Sequence, residues 1–180
     1  MNNFSLIVPE SVTFKQAIDL SQSLLSRLEA REIAEAEMAR VISELVKTEN
    51  GARGFFVTYL TSETSLADNP PNSLVEALRS HPEYVAELLV KNIAMSSAQA
   101  VYHRRNHADD MAQDSERVQQ RTAQLIKLVN LPAVYDYAHQ LLHSASTGEG
   151  TYKDFLERWG YDHEQRQAMS KALQHALAEA

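Results

Sequence analysis

The chain of 180 residues contains no cysteine and only five glycines and five prolines. The lack of cysteine excludes disulfides, zinc–thiolate sites and thiol catalysis, and it fits a reducing compartment. Glycine and proline are the residues that most disfavour helix interiors, so their scarcity favours helices. The apolar fraction of 44% and the charged fraction of 23% are ordinary for a folded globular domain.

Long apolar runs are also missing. No stretch approaches the ~20 apolar residues that a membrane-spanning helix needs. The N-terminal apolar run ends at Val8, is too short for a signal peptide, and follows no basic leader. We therefore expect a soluble, cytoplasmic protein without a membrane partner.

Basic residues are outnumbered, with 17 Lys and Arg against 24 Asp and Glu, giving a formal net charge of −7. A general nucleic-acid binder needs clustered cations to displace counterions from phosphates. The densest basic position here is Arg104–Arg105, and acids border it. We therefore expect no nucleic-acid partner.

The longest helical pattern covers residues 80–106. Ser80 and Glu83 match a capping box, and Pro82 fits the first turn of a helix. Apolar residues then recur at steps of three and four around more than one face, which predicts a helix covered by neighbours on several sides. The residues that carry this pattern are Tyr84, Val85, Leu88, Leu89, Met95, Ala98, Val101 and Tyr102.

The N-terminal third contains two uncertain segments after a short irregular arm. Thr13 and Gln16 predict a capped helix start, and the thin apolar pattern after Glu29 favours two helices meeting near Ala30 over one long helix. Asn50–Gly51 predicts a left-handed helix end. Residues 53–61 are rich in aromatic and β-branched residues, which favours a strand. Because no partner strand is evident, we interpret them as a short buried helix or an extended segment.

The C-terminal third predicts three further helical features. Residues 110–129 carry a narrow seam of Met111, Ser115, Val118, Thr122, Leu125 and Val129. This seam packs either on its own domain or on another copy of the chain. Pro132 then opens a helix, residues 144–150 form a linker, and a helical hairpin follows. In the hairpin, Gly160 ends one helix and Asp162 with Gln165 starts the last one.

These patterns predict an all-α fold of about seven or eight helices in a bundle around a central helix near residues 80–106. Residues 1–145 form the predicted body. Residues 146–180 form the C-terminal helical hairpin, packed on the body so that the whole is one domain. Trp159 and Phe155 are expected to hold the hairpin on the body or to form a docking patch.

The candidate ligand-binding residues follow the end of the central helix: His103, Arg104, Arg105, His107 and Asp110. Two histidines near carboxylates can form an anion pocket or a metal site. The alternative is purely structural, because helix dipoles favour cations at one helix end and anions at the next helix start. In that interpretation Asn106 is left-handed, and Asp109 or Asp110 caps the following helix.

A second group, Asp136, His139 and His143, shares one face of the predicted helix that starts at Pro132. Di-iron carboxylate bundles need two Glu-x-x-His motifs, whereas this sequence has Asp-x-x-His once and Glu-x-x-His nowhere. We therefore expect neither a metal nor another cofactor.

No catalytic constellation stands out, so we expect a non-enzymatic interaction or regulatory protein that self-associates as a homodimer through a helix face. The alternative is a small-molecule-binding or metal-dependent helical enzyme that uses the His103–His107 region. The candidate interface residues are Met111, Val118, Leu125, Phe155 and Trp159.

Overall fold

The computed structural model describes residues 5–180, which form ten helices and no strand. The predicted all-α class is confirmed, and eight of these helices have at least eight residues. Residues 5–13 are irregular; Phe4, part of the predicted arm, lies outside the described residues. The helices are α1 Phe14–Glu29, α2 Glu35–Leu45, α3 Glu49–Thr61, α4 Ser65–Asp68, α5 Asn72–Arg79, α6 Pro82–Arg105, α7 Asp109–Val129, α8 Pro132–Thr147, α9 Lys153–Arg158 and α10 His163–Glu179.

Internal contacts divide the chain into two compact units, one ending at Val85 and one beginning at Ala86. In the first unit α1 packs along α3, and α2 packs against α5 while also touching α1 and α3. In the second unit α10 packs against α8 and α7, and α9 packs against α8. The predicted division into a body and a hairpin at residue 145 stays a prediction.

Helix α3 resolves the ambiguity of residues 53–61 in favour of the buried helix. Phe55, Phe56 and Tyr59 are almost completely buried, and the rings of Phe55 and Tyr59 stack with centroids 5.3 Å apart. The Tyr59 hydroxyl donates a hydrogen bond of 2.6 Å to the Leu66 carbonyl. A helix satisfies its own backbone, so these aromatic residues reach the core without a partner strand.

The start of the first unit follows the predicted caps. Thr13 and Gln16 make both bonds of a capping box, at 3.2 and 2.9 Å. Helix α1 ends with Ala30 as its C-cap, which confirms the break predicted there. Arg31 is left-handed with φ 57°, and a Schellman pair follows because its amide and that of Glu32 reach back into the last turn of α1.

The predicted helix end at Asn50–Gly51 is wrong. Helix α2 already ends at Leu45, and Thr48 caps α3 by accepting from the amide of Gly51 at 3.1 Å. A Cβ atom on Gly51 would lie 1.9 Å from the Leu45 carbonyl oxygen. Glycine is therefore needed for the close approach of two backbones, not for a left-handed conformation.

The predicted N-cap at Ser80 is also wrong, and Ser73 near the start of α5 is no N-cap either. Ser80 is the C-cap of α5, and its hydroxyl donates to the Ala77 carbonyl, while α6 begins two residues later. Ser73 lies inside α5, behind the N-cap Pro71, and its hydroxyl donates to Glu35. In both cases the hydroxyl donates to another acceptor, and it does not accept from an amide at the start of a helix.

The long helix predicted over residues 80–106 is confirmed as α6. Its C-terminal end is a Schellman pair, because the amides of His107 and Ala108 donate to the carbonyls of Arg104 and His103. In the hairpin, Gly160 is left-handed as predicted, with φ 64°. Side chains from several faces of α6 are buried: Val85, Ala86, Leu89, Val90, Ile93, Ala94 and Ala98.

Candidate functional site

Arg105, the last residue of α6, makes an ion cluster with the start of α10. Its Nε donates to Oε2 of Glu164 at 3.0 Å, and its Nη2 donates to Oδ1 of Asp162 at 3.1 Å. Nη1 and Nη2 make further short contacts with Asp162 and Glu164. All three guanidinium nitrogens are therefore engaged by carboxylates of the same chain, in the fork geometry that suits arginine.

Besides binding Arg105, Asp162 is the N-cap of α10. Its Oδ1 accepts from the Gln165 amide at 3.0 Å, and the Gln165 side chain returns a bond of 3.1 Å to the Asp162 amide. The Arg105 guanidinium, followed by the Gln165 amide, lowers the pKa of Asp162 to about 2. The same carboxylates raise the pKa of Arg105, so the pair stays charged at ordinary pH.

Arg104 is bound on the other side, by α7. Its Nε donates to Oε1 of Glu116 at 3.1 Å, with a shorter contact from Nη2, and this hydrogen bonding raises the pKa of Arg104. Two neighbouring arginines thus hold the end of α6 to α7 and to α10. The sequence alone did not predict that Glu116, Asp162 and Glu164 are the partners of these arginines, because they lie 12 to 59 positions away.

The two histidines of the candidate site are separated by the end of α6. His103 is half-buried, with its ring edge-on to Tyr102 at 5.5 Å. His107 is exposed and left-handed, with φ 56°, which corrects the prediction that Asn106 takes this conformation. Asn106 instead donates its side-chain amide to the Tyr102 carbonyl at 2.8 Å. An i, i+4 pair needs a continuous helix, so His103 and His107 do not form one.

The carboxylates predicted to cap α7 lie one step further along. The N-cap of α7 is Ala108, without a side-chain hydrogen bond, and Asp109 and Asp110 occupy the first turn, both exposed. There they complement the helix dipole without capping it. Throughout residues 5–180, no group of three or more His, Asp or Glu side chains is placed to hold a metal ion. Asp136, His139 and His143 are exposed and lie within this range, so they are not placed as a metal-binding group.

The candidate interface residues fall into accessible and inaccessible groups. Met111 and Trp159 are 55% and 57% exposed, and Val118 is half-buried. Leu125 is completely buried, so the C-terminal half of the predicted seam on α7 is turned into the protein. Phe155 is half-buried, with the Lys91 ammonium 5.8 Å from its ring centroid.

The hairpin is also attached along α6 by buried polar groups. The Tyr152 hydroxyl donates to Oε1 of Glu87 at 3.1 Å, and Glu87 is paired with Lys91 at 3.0 Å. Burial raises the pKa of Tyr152 well above its usual value. Further along, the Gln165 side-chain amide donates to the Ala98 carbonyl at 3.2 Å. A cap residue of α10 therefore also fixes that helix on α6.

These contacts define an all-helical protein whose C-terminal helices are tied to one long helix by ion pairs and buried hydrogen bonds. Within residues 5–180, none of the helices has the length and apolarity to cross a membrane. The chain belongs to the family described as "Uncharacterised conserved protein UCP020893", whose profile matches residues 13–176. No curated protein and no solved structure matches the chain.

Proposed function

We propose that the chain is a non-enzymatic interaction protein that self-associates through a surface at the end of α6. We call this the α6-end surface and define it by Tyr102, Met111 and Trp159. The observation that supports it best is the exposure of Trp159, the single tryptophan, at 57%. Met111 is 55% exposed and Tyr102 is 50% exposed. Tyrosine, tryptophan and methionine are the residue types enriched in the cores of protein interfaces.

Each of the three side chains lies three to five residues along the chain from a member of the ion pairs of Arg104 and Arg105. Tyr102 precedes Arg105 by one helical turn, Met111 precedes Glu116 on α7, and Trp159 precedes Asp162 in the turn before α10. Side chains on fixed elements lose little entropy when they bind, so such a surface is preorganised. The surrounding charges include both signs, which suits a self-complementary contact between two identical copies.

The test is sedimentation equilibrium of the whole chain over a wide concentration range. We expect a reversible dimer that is weakened by Trp159→Ser and by Met111→Gln. Leu128→Gln is the matched control, because Leu128 is an exposed apolar residue at the other end of α7. A wild-type chain that stays monomeric at the highest concentration would disprove self-association. If Leu128→Gln weakened the dimer as much as the other two variants do, the dimer contact would not lie at the α6-end surface.

The alternative, a ligand-binding or metal-dependent enzyme at the His103–His107 region, has less support because Arg105 already binds two carboxylates. Its test is metal analysis of the purified protein together with an anion stabilisation screen of wild type and Arg104→Ala. A bound metal, or an anion that stabilises only the wild type, would favour it over the interaction hypothesis.

A further inference from the structure

A second feature of the C-terminal unit lies apart from the α6-end surface. The end of α8 and one face of α10 line an open cleft of about 420 Å³, which we call the α8–α10 cleft. Its volume is within the range of small-molecule sites. The residues that line it include three with basic side chains and none with a carboxylate: Ser146, His163, Arg166, Gln167, Ser170 and Lys171.

Arg166 is held in place while most of its donors stay available. Its Nε donates to the Tyr161 carbonyl at 3.0 Å, and the side chain is half-buried. Its Nη1 and Nη2 make no hydrogen bond with any residue from 5 to 180. Nη1 lies 3.8 Å from where a Cβ on Gly148 would stand, so the guanidinium faces the loop after α8. The hydrogen bond to the Tyr161 carbonyl orients the planar guanidinium of Arg166, and its Nη1 and Nη2 remain able to bind a ligand.

Lys171 is the second cation of the cleft, five residues beyond Arg166 on α10. Its ammonium makes no ion pair with residues 5–180. This contrasts with Lys153, which pairs with Glu149 at 3.0 Å, and with Arg105, which binds two carboxylates. In a chain of net charge −7, two cations without carboxylate partners in one cleft are a local excess of positive charge.

The acids that flank the cleft residues in sequence are paired with cations that do not line the cleft. Asp162 and Glu164, which flank His163 at the start of α10, are hydrogen-bonded to Arg105. Glu149, in the loop after α8, is bonded to Lys153. Among the described residues that line the cleft there is no carboxylate to balance its cations. The first turn of α10 adds its own partial positive charge at the same place.

From these contacts we infer that the α8–α10 cleft binds a small molecule carrying a phosphomonoester group. The outer edge of Arg166 and the ammonium of Lys171 supply charge-assisted donors to phosphate oxygens. Hydroxyls of Ser146 and Ser170 and the amide of Gln167 supply neutral donors for the rest of the ligand. A phosphomonoester dianion uses several donors at once, which suits this set better than a single carboxylate does.

The experiment measures binding to the whole chain by isothermal titration calorimetry at fixed ionic strength. The probes are glycerol 3-phosphate, inorganic phosphate, glycerol and acetate. We expect glycerol 3-phosphate to bind more tightly than inorganic phosphate, and glycerol and acetate to show no binding. Acetate binding as tightly as glycerol 3-phosphate would overturn the phosphate assignment. Inorganic phosphate binding more tightly than the ester, or no binding of either, would overturn the proposed ligand.

Lys171→Gln tests the site itself, because the exposed Lys171 side chain can be neutralised without disturbing the core. Losing one charge-assisted donor is expected to weaken glycerol 3-phosphate binding by about tenfold. Lys127→Gln removes the same charge from an exposed lysine of α7 that does not line the cleft, and it is the matched control, expected to bind as wild type. Arg166→Lys keeps the charge but loses the fork and is expected to bind more weakly than wild type. Equal affinity of Lys171→Gln and wild type would disprove the site.

Discussion

Asp162 accepts a hydrogen bond from Arg105 of α6 while it caps the first turn of α10. One carboxylate therefore joins the end of one helix to the start of another. The C-terminal end of α6 is electronegative and the N-terminal end of α10 is electropositive, so the cation and the anion each lie at the favourable helix end. The bridge and the cap depend on the same ionised group, which makes them sensitive to the same pH.

Acid should weaken this junction over a defined range. The folded pKa of Asp162 is about 2, below the ordinary value of 3.8. A depressed folded pKa means that the stabilisation is complete above the unfolded pKa and is lost as the pH falls through the folded one. We expect the Tm of the wild type to fall between about pH 4 and pH 2. Asp162→Asn keeps a good N-cap but no charge, so its Tm should vary less with pH over this range.

Arg105→Gln provides the control for that experiment. It leaves the Asp162 carboxylate and the cap in place but removes the guanidinium, which is the largest cause of the low pKa. Its Tm should therefore also vary less with pH between about pH 4 and pH 2. Thermal melts followed by circular dichroism measure all three proteins. If both variants kept the full wild-type pH dependence, the ion pair would contribute nothing in solution.

Tyr152 and Tyr161 should resist alkaline ionisation. Burial raises the pKa of Tyr161 to about 12 and raises that of Tyr152 as well. A raised folded pKa gives stability below the unfolded value near 10, and that stability is lost as the pH rises through the folded value. A tyrosinate absorbance titration should show these two tyrosines ionising late, together with loss of helical circular dichroism.

Tyr152→Phe isolates one of these two groups. It should remove one late-ionising tyrosine and lower the free energy of unfolding by about 1 kcal/mol through loss of the bond to Glu87. Tyr84→Phe is the comparison, since Tyr84 is an exposed residue. Its free energy of unfolding should stay close to that of wild type. If Tyr152→Phe left the number of late-ionising tyrosines unchanged, Tyr152 would not be one of them.

The helices were largely predictable because each one carries local signals. Thr13 with Gln16, and Asp162 with Gln165, form capping boxes over four residues, and both are confirmed. The errors arose where neighbours offered alternatives: Ser80 bonds to the carbonyl of Ala77 instead of capping α6. Such choices depend on where the chain turns, which spacing alone does not reveal.

The candidate site was predictable in position but not in chemistry. The sequence marks Arg104 and Arg105 as a charged helix end, yet their partners come from residues up to 59 positions away. Tyr102 was expected to face inward on the apolar stripe of α6, but it is half exposed. The stripe is wide, so periodicity could not tell which edge is covered. Nothing in the local pattern marked Arg166 and Lys171 as neighbours of the end of α8.

The contact between α1 and α3 gives the last prediction, because it depends on a missing methyl group. A Cβ on Gly54 would lie 2.4 Å from Cβ of Ala17 and 3.0 Å from the Ala17 carbonyl carbon. Alanine favours a helix over glycine by about 1 kcal/mol, but overpacking a tight contact costs about 1–3 kcal/mol. We expect the steric effect to prevail, so that Gly54→Ala lowers the free energy of unfolding in urea.

The double variant Ala17→Gly, Gly54→Ala separates sterics from propensity. It moves the methyl group from one helix to the other, so the 2.4 Å contact between the two Cβ atoms is removed. The 3.0 Å contacts with the Ala17 carbonyl carbon and the Ile18 amide nitrogen remain, as do one glycine and one alanine. We expect it to recover part of the stability that the single Gly54 variant loses, with a coupling free energy of about 1 kcal/mol between the two positions. If the effects of the two substitutions on the free energy of unfolding were additive, α1 and α3 would be able to move apart at little cost. Close packing would then not explain the glycine at position 54.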